Sequence, residues 1–195
     1  SGGVTTLDDV AYYATPLDIL NRLLTIPVAL TGVLFPAFAV TYTHEQSRAA
    51  ALFGRTARYI YIMMFPLVLI MVAFAYQGLR LWLGATFATE SAPVMQLMAI
   101  GILLNSLGRL AFTFVIGVGK AKWSALLHLA ELPIFLGLLY LLTIRFGIVG
   151  AAFAGMLRFA VDTLVLMLMV QRLLPAVTVD VRRICLVLAG SALVL

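Results

Sequence analysis

Apolar residues in this chain run in long stretches separated by short polar breaks, and none of the stretches alternates with period two. A membrane-spanning helix takes about 20 mostly apolar residues. On that measure the pattern predicts five complete spans, at residues 10–40, 58–79, 92–118, 123–143 and 148–173, and a sixth, 183–195, that stops short. The first is long enough to be tilted or bent. The runs are too long and too uniform for barrel strands. The expected fold is therefore an all-α polytopic membrane protein, with residues 1–195 forming one transmembrane helical bundle.

The breaks carry their own punctuation. Thr43-His44-Glu45-Gln46-Ser47-Arg48 opens the longest connection, which residues 49–58 are expected to continue as an interfacial helix. Gly78, Gly84 and Pro93 mark the second connection, Gly117-Val118-Gly119-Lys120 the third and Arg145-Phe146-Gly147 the fourth, and Pro175 ends the fifth span. Pro16, Pro27, Pro36, Pro66 and Pro133 lie within or near spans, where proline bends a helix. No linker is long enough to separate soluble domains. The first residues lack a Met and a basic n-region, and the last end inside an apolar run, so both ends read as cut and an N-terminal half of the same chain is expected to be missing.

Composition agrees with the pattern. Of 195 residues, 64% are hydrophobic and 11% charged, against about 45–50% and about 25% in soluble domains. Disorder, a coiled coil and a DNA-binding domain are excluded. The net charge of +5 does not point to nucleic acid, because no basic run interleaved with aromatics occurs. It is explained by the arrangement of cations. Arg48, Arg55, Arg58, Lys120, Lys122, Arg172, Arg182 and Arg183 fall in connections on one side of the alternating spans, whereas only Arg80 and Arg145 fall on the other. Cytoplasmic loops collect Lys and Arg, so the first span is expected to enter from outside. Trp82 and Trp123, each near a predicted helix end, suit an interfacial aromatic belt. The single Cys185 lies in an apolar run with no metal-ligand spacing around it.

Candidate chemistry lies at bilayer depth, where a charge costs at least about 2.5–3.5 kcal/mol. Asp18, Asn21 and Arg22 share a face of the first span by their spacing of three and four; Asn105 and Arg109 are four apart on the third, His128 and Glu131 three apart on the fourth, Arg158 and Asp162 four apart on the fifth. Asp18 with Arg22, and Arg158 with Asp162, also suit neutralising intrahelical pairs. Arg109 is about 12–15 Å of helix rise from its end and within reach of snorkelling. His128 reads as an interface residue near the start of its span. Glu131 has no partner four residues away and needs one on another helix. Polar stripes on four of the five complete spans favour a common hydrated cavity, as in a transporter. Arg22, Arg109, Arg158, Asn21 and Asn105 are the candidates to line it; Asp18, Glu131 and Asp162 are the candidates for ion pairing or coupling. No nucleotide loop, HExxH or nucleophile elbow occurs, so no enzyme, catalytic residue or metal site is expected. His44 beside Glu45 in a solvated loop is too little for catalysis. No cofactor is expected, and coupling to a Na+ or H+ gradient stays open.

Several segments together resemble the C-terminal half of the oligosaccharide flippases of the multidrug/oligosaccharidyl-lipid/polysaccharide exporter superfamily. Val10-Ala11-Tyr12-Tyr13-Ala14-Thr15-Pro16, Ile26-Pro27 and Leu34-Phe35-Pro36-Ala37-Phe38 resemble the family helix entered through a "GYY"-like element and left through "LFP". Leu81-Trp82-Leu83-Gly84 with Phe87-Ala88 resembles its outer loop, Gly117-Val118-Gly119-Lys120-Ala121-Lys122 its cytoplasmic turn, and Phe146-Gly147-Ile148-Val149-Gly150-Ala151-Ala152 with Arg158 its "GIxGAAxA…R" segment. The resemblance implies a bundle of a 12–14-helix transporter in the bacterial cytoplasmic (inner) membrane. It implies movement of an undecaprenyl-pyrophosphate-linked oligosaccharide repeat unit to the outer leaflet, by alternating access, for surface polysaccharide biosynthesis. Of the cavity candidates only Arg158 is carried over by motif. The partners so implied are the lipid bilayer, the lipid-linked oligosaccharide and the missing half of the chain. A cation-coupled multidrug antiporter of the same superfamily, a lipid II flippase and a membrane glycan transferase or polymerase are the alternatives.

Overall fold

The computed structural model describes residues 7–175, all of them arranged as helices and short connections. The predicted sixth span, 183–195 with Cys185, and Arg182 just before it lie outside the described residues. The helices are α1 (Leu7–Leu23), α2 (Thr25–His44), α3 (Gln46–Ala73), α4 (Ala75–Leu83), α5 (Ala85–Gly117) and α6 (Ala121–Leu173). This is the all-α polytopic membrane fold expected from the apolar pattern.

Local chemistry sets each boundary. α1 and α2 together make the first apolar segment, Val10–His44, interrupted at Leu24. Pro27 has no N–H to give the Leu23 carbonyl. The backbone tightens there, with Leu24 N donating to Asn21 O at 3.2 Å before Val28 N resumes the helical pattern to Leu24 O at 3.1 Å. Pro16, Pro36, Pro66 and Pro133 sit inside continuous helices. Glu45, extended at φ −152° and ψ 95°, turns the chain into α3.

α3 corrects the expectation of a separate interfacial helix at 49–58. Ala49, Phe53, Ala57, Ile60, Met64, Val68 and Val72 form one buried stripe at spacings of three and four along its whole length. The amphipathic start is thus the first turns of the span itself. At its far end α3 stops at Ala73, short of the predicted 79, because the backbone leaves helical geometry at Phe74. Beyond it α4 is a short separate helix, with Ala75 and Leu79 buried and Leu81 and Trp82 exposed. Gly84, at φ 93°, ends it and starts α5 at Ala85 rather than at 92.

α6 is two helices joined end to end. At about 1.5 Å per residue its 53 residues would measure about 80 Å, far beyond a hydrocarbon core of about 30 Å. Gly147, at φ 60° and ψ −141°, breaks it. A Cβ there would be strained, and one at Gly150 would collide with the Leu142 carbonyl, so only glycines allow the chain to fold back this tightly. The limbs, 121–146 and 148–173, form an antiparallel hairpin.

α5 is the hub and packs against every other helix. Phe114 of α5, Phe38 of α2 and Phe53 of α3 meet near one end, with ring centroids 5.3, 5.7 and 6.3 Å apart. At the other end Tyr12 of α1 touches Phe87 at 4.9 Å, and Gln96 Nε2 donates to Val72 O at 3.0 Å. α1 and α2 therefore run parallel to α5, and α3 antiparallel. The second limb of α6 lies closest to it. Thr163 Oγ1 donates to Leu104 O at 2.9 Å, and a Cβ on Gly108 would lie 2.6 Å from that hydroxyl. Small residues at such a seam let backbones approach in lipid. The described chain thus makes five crossings, with Arg48, Arg55, Arg58, Lys120, Lys122 and Arg172 at one end and Arg80 and Arg145 at the other.

Candidate functional site

The hairpin of α6 carries most of the site. His128 and Glu131 lie one turn apart on its first limb, Arg158 and Asp162 one turn apart on its second. Because the limbs are antiparallel about residue 147, these turns come level with each other. Arg158 Nε lies 3.6 Å from Glu131 Oε1. His128 Nδ1 lies 3.5 Å from Glu131 Oε2 and 3.6 Å from Asp162 Oδ1. Glu131 is the most buried of the four, at 8% exposure. It is ten residues, about 15 Å of helix rise, from the start of α6.

These side chains border a cavity of about 310 Å³ lined by Asn21, Leu24, Asn105, Arg109, His128, Arg158, Phe159 and Asp162, with Gly108 and Phe112 between them. Arg109 and Asn105, four apart on α5, face it from one side, and Asn21 enters from α1 just before the break at Leu24. Phe135 lies under the Arg158 guanidinium, 4.8 Å from its centroid, and Phe112 lies 5.7 Å from the His128 ring. The rings support the charged groups from the apolar side, and a guanidinium over an aromatic face is favourable. The ligating atoms of His128, Glu131 and Asp162 all lie within 4.8 Å of one another, close enough to share a cation or a proton.

Five of the eight residues proposed from sequence, Asn21, Asn105, Arg109, Arg158 and Asp162, line this one cavity, and Glu131 joins it through Arg158 and His128. Glu131 finds the partner on another helical limb that its sequence position requires. Asp18 and Arg22 do not join. α1 buries Pro16 and Leu20, and Asp18 and Arg22 lie about 160–200° around the helix from Leu20, exposed. No ion pair joins Asp18 to Arg22, and none joins Arg158 to Asp162 within 4.0 Å. The intrahelical pairing allowed by spacing is replaced in the second case by pairing across the hairpin, where Glu131 is nearer. His128, read from sequence as an interface residue, stands at the centre of the charged group. Its spacing of three from Glu131 was the available signal; the opposing Asp162 is 34 residues away in the chain and visible only once the hairpin closes.

A polytopic helical membrane protein with a charged cavity between its crossings is the class defined by this geometry. The chain is 26% identical over 166 residues, 85% of its length, to a Shigella flexneri protein named "Putative O-antigen transporter". It spans about 39% of that relative's length. No family model and no solved structure matches it.

Proposed function

We propose that this protein belongs to a transporter that carries a polyprenyl-pyrophosphate-linked oligosaccharide repeat unit across the bacterial cytoplasmic membrane, by alternating access, for surface polysaccharide biosynthesis. The observation that carries this reading is the cavity at bilayer depth, bordered by Arg109 and Arg158 from different helices and by two asparagine amides. Charges placed there are costly unless used. Guanidinium groups pair with phosphate oxygens through planar, two-pronged hydrogen bonds, and asparagine adds donors and acceptors for sugar hydroxyls. At about 310 Å³ the cavity takes the pyrophosphate and the first sugar rather than a whole repeat unit, with the lipid tail left in the bilayer. The printed name of the Shigella flexneri relative agrees with such cargo.

The test separates substrate binding from charge balance. Arg158→Ala leaves Glu131 without its guanidinium, so loss of export alone could reflect misfolding. In the double variant Arg158→Ala with Glu131→Ala the membrane level should return to normal while glycan display in cells stays low. Arg158→Lys, which keeps the charge and loses the fork, should retain part of the export. Normal glycan display by the double variant would reduce Arg158 to a counter-ion and remove the main support for this reading.

A further inference from the structure

A second recess lies apart from the charged cavity and shares no residue with it. Phe38 of α2 and Phe53 of α3 both pack on Phe114 of α5, and between the outer faces of α2 and α3 lies a groove of about 1300 Å³. Its walls are apolar. Leu30 and Leu34 come from α2, and Leu52, Tyr59 and Met63 from α3. Thr41 also borders it, but its hydroxyl donates to the Ala37 carbonyl and adds no polar wall. Val40, Tyr59, Ile62 and Met63 are exposed, so the groove opens sideways, towards lipid. One end alone is charged. There the chain turns from α2 into α3, and His44, Glu45, Arg48 and Arg55 form the rim. Glu45 lies 3.9 Å from Arg48. Among the described residues no carboxylate lies within 4.0 Å of Arg55, whose Nε donates to Ala51 O at 3.4 Å. That bond draws the guanidinium back towards the rim, as long cationic side chains reach for the interface. With His44 neutral, two arginines against one carboxylate leave one positive charge.

Length sets the scale. From Leu30 to His44 α2 rises about 21 Å, and from Arg48 to Met63 α3 rises about 22 Å. Half of a bilayer, headgroups included, is about 20–22 Å. The groove is therefore one leaflet long, with its cations at headgroup level and its apolar walls at the depth of the tails. We propose that it binds one anionic phospholipid of that leaflet, with the phosphate between Arg48 and Arg55 and an acyl chain along Leu34, Leu52, Tyr59 and Met63. A guanidinium holds phosphate oxygens through two parallel hydrogen bonds. Basic recesses between spanning helices take anionic headgroups for this reason. One phosphodiester charge balances the single positive charge left at the rim. A zwitterionic lipid fits the same walls but brings its own cation to that rim, and is disfavoured there. The site is independent of the transport reading, because the charged cavity is built from α1, α5 and α6 and this groove from α2 and α3.

The test uses the purified full-length protein in vesicles of equal parts phosphatidylglycerol and phosphatidylcholine, with bromine placed on the chains of one lipid or of the other. Bromine quenches tryptophan on contact, so a single tryptophan reports which lipid lies beside it while the membrane composition stays constant. Tyr59→Trp puts the reporter in the groove, and Ile134→Trp, on an exposed face of α6, is the reference. In both, Trp82, Trp123 and any tryptophan outside this sequence are replaced by phenylalanine. Quenching at position 59 should show phosphatidylglycerol enriched about tenfold over phosphatidylcholine, with no enrichment at position 134. Arg48→Gln with Arg55→Gln should abolish the enrichment at 59 and leave quenching at 134 unchanged, as expected of an intact bundle. Equal quenching by the two lipids at position 59 of the chain with both arginines would overturn the site. So would the same enrichment at 134, or enrichment at 59 that survives the double variant. Absence of quenching by either lipid at 59 would overturn it as well, since protein rather than lipid would then cover the groove.

Discussion

Gly108 shows how much a single missing methyl decides. Its backbone lies against Thr163 so closely that a Cβ would come within 2.6 Å of the hydroxyl, and that hydroxyl already donates to the Leu104 carbonyl. Gly108→Ala must therefore push the second limb of α6 away from α5 or break the hydrogen bond, at a cost of about 1–3 kcal/mol. Thermal unfolding in detergent should register a clear drop, partly reversed by adding Thr163→Ala. Gly155→Ala, where a Cβ meets open space, should cause no such drop. An unchanged midpoint for Gly108→Ala would mean that the helices are not packed this tightly. At the same scale the sequence reveals which residue types reach bilayer depth, and hence Asn21, Asn105, Arg109, Glu131, Arg158 and Asp162. It does not reveal their partners. A spacing of four is equally compatible with a pair within one helix and with two residues aimed at a third, and Arg158 takes the second course by reaching Glu131.

The elements are legible in the sequence because each is a long apolar run, and their ends are less so because ends depend on packing. The start of α3 carries Arg48, Arg55 and Arg58 and reads as a surface helix, yet its Ala49, Phe53 and Ala57 are buried in the same stripe as Met64 and Val68. The turn at Gly147 is different, since it is written directly as Arg145-Phe146-Gly147 and needs no tertiary context. Its φ and ψ belong to glycine alone, and Gly150 follows it against the Leu142 carbonyl. Gly147→Ala and Gly150→Ala should each lower the amount of folded protein in the membrane more than Gly137→Ala, whose Cβ has free space on the first limb. Fluorescence-detected size exclusion of tagged variants gives this comparison. Equal profiles for all three would mean that the hairpin tolerates a looser turn than the one seen.

For the whole molecule, the even alternation of crossings and the gathering of six described cations at one end make orientation the sharpest expectation. Ser47 lies beside that end and Thr89 at the other, and both are exposed. In a Cys185→Ala background, a cysteine at position 89 should react with an impermeant maleimide in intact cells, and one at position 47 should react only after the membrane is opened. The reverse pattern would invert the bundle. Orientation is readable from sequence because it is a sum over loops. The cavity is not, because Asn21, Arg109 and Arg158 come from helices whose relative rotation depends on contacts along their whole length.

The fold-back at Gly147 has a consequence for how the chain is made. Synthesis delivers the first limb of α6, with His128 and Glu131, before the second, with Arg158 and Asp162. Released into lipid alone, each limb would carry ionisable groups with no partner, at about 2.5–3.5 kcal/mol for each charge. Delivered as a pair, they enter with Glu131 against Arg158 and His128 against Asp162. The translocon should therefore hold the first limb until the second emerges, and a chain stalled with residue 147 just clear of the ribosome should leave the first limb still cross-linkable to the insertion channel.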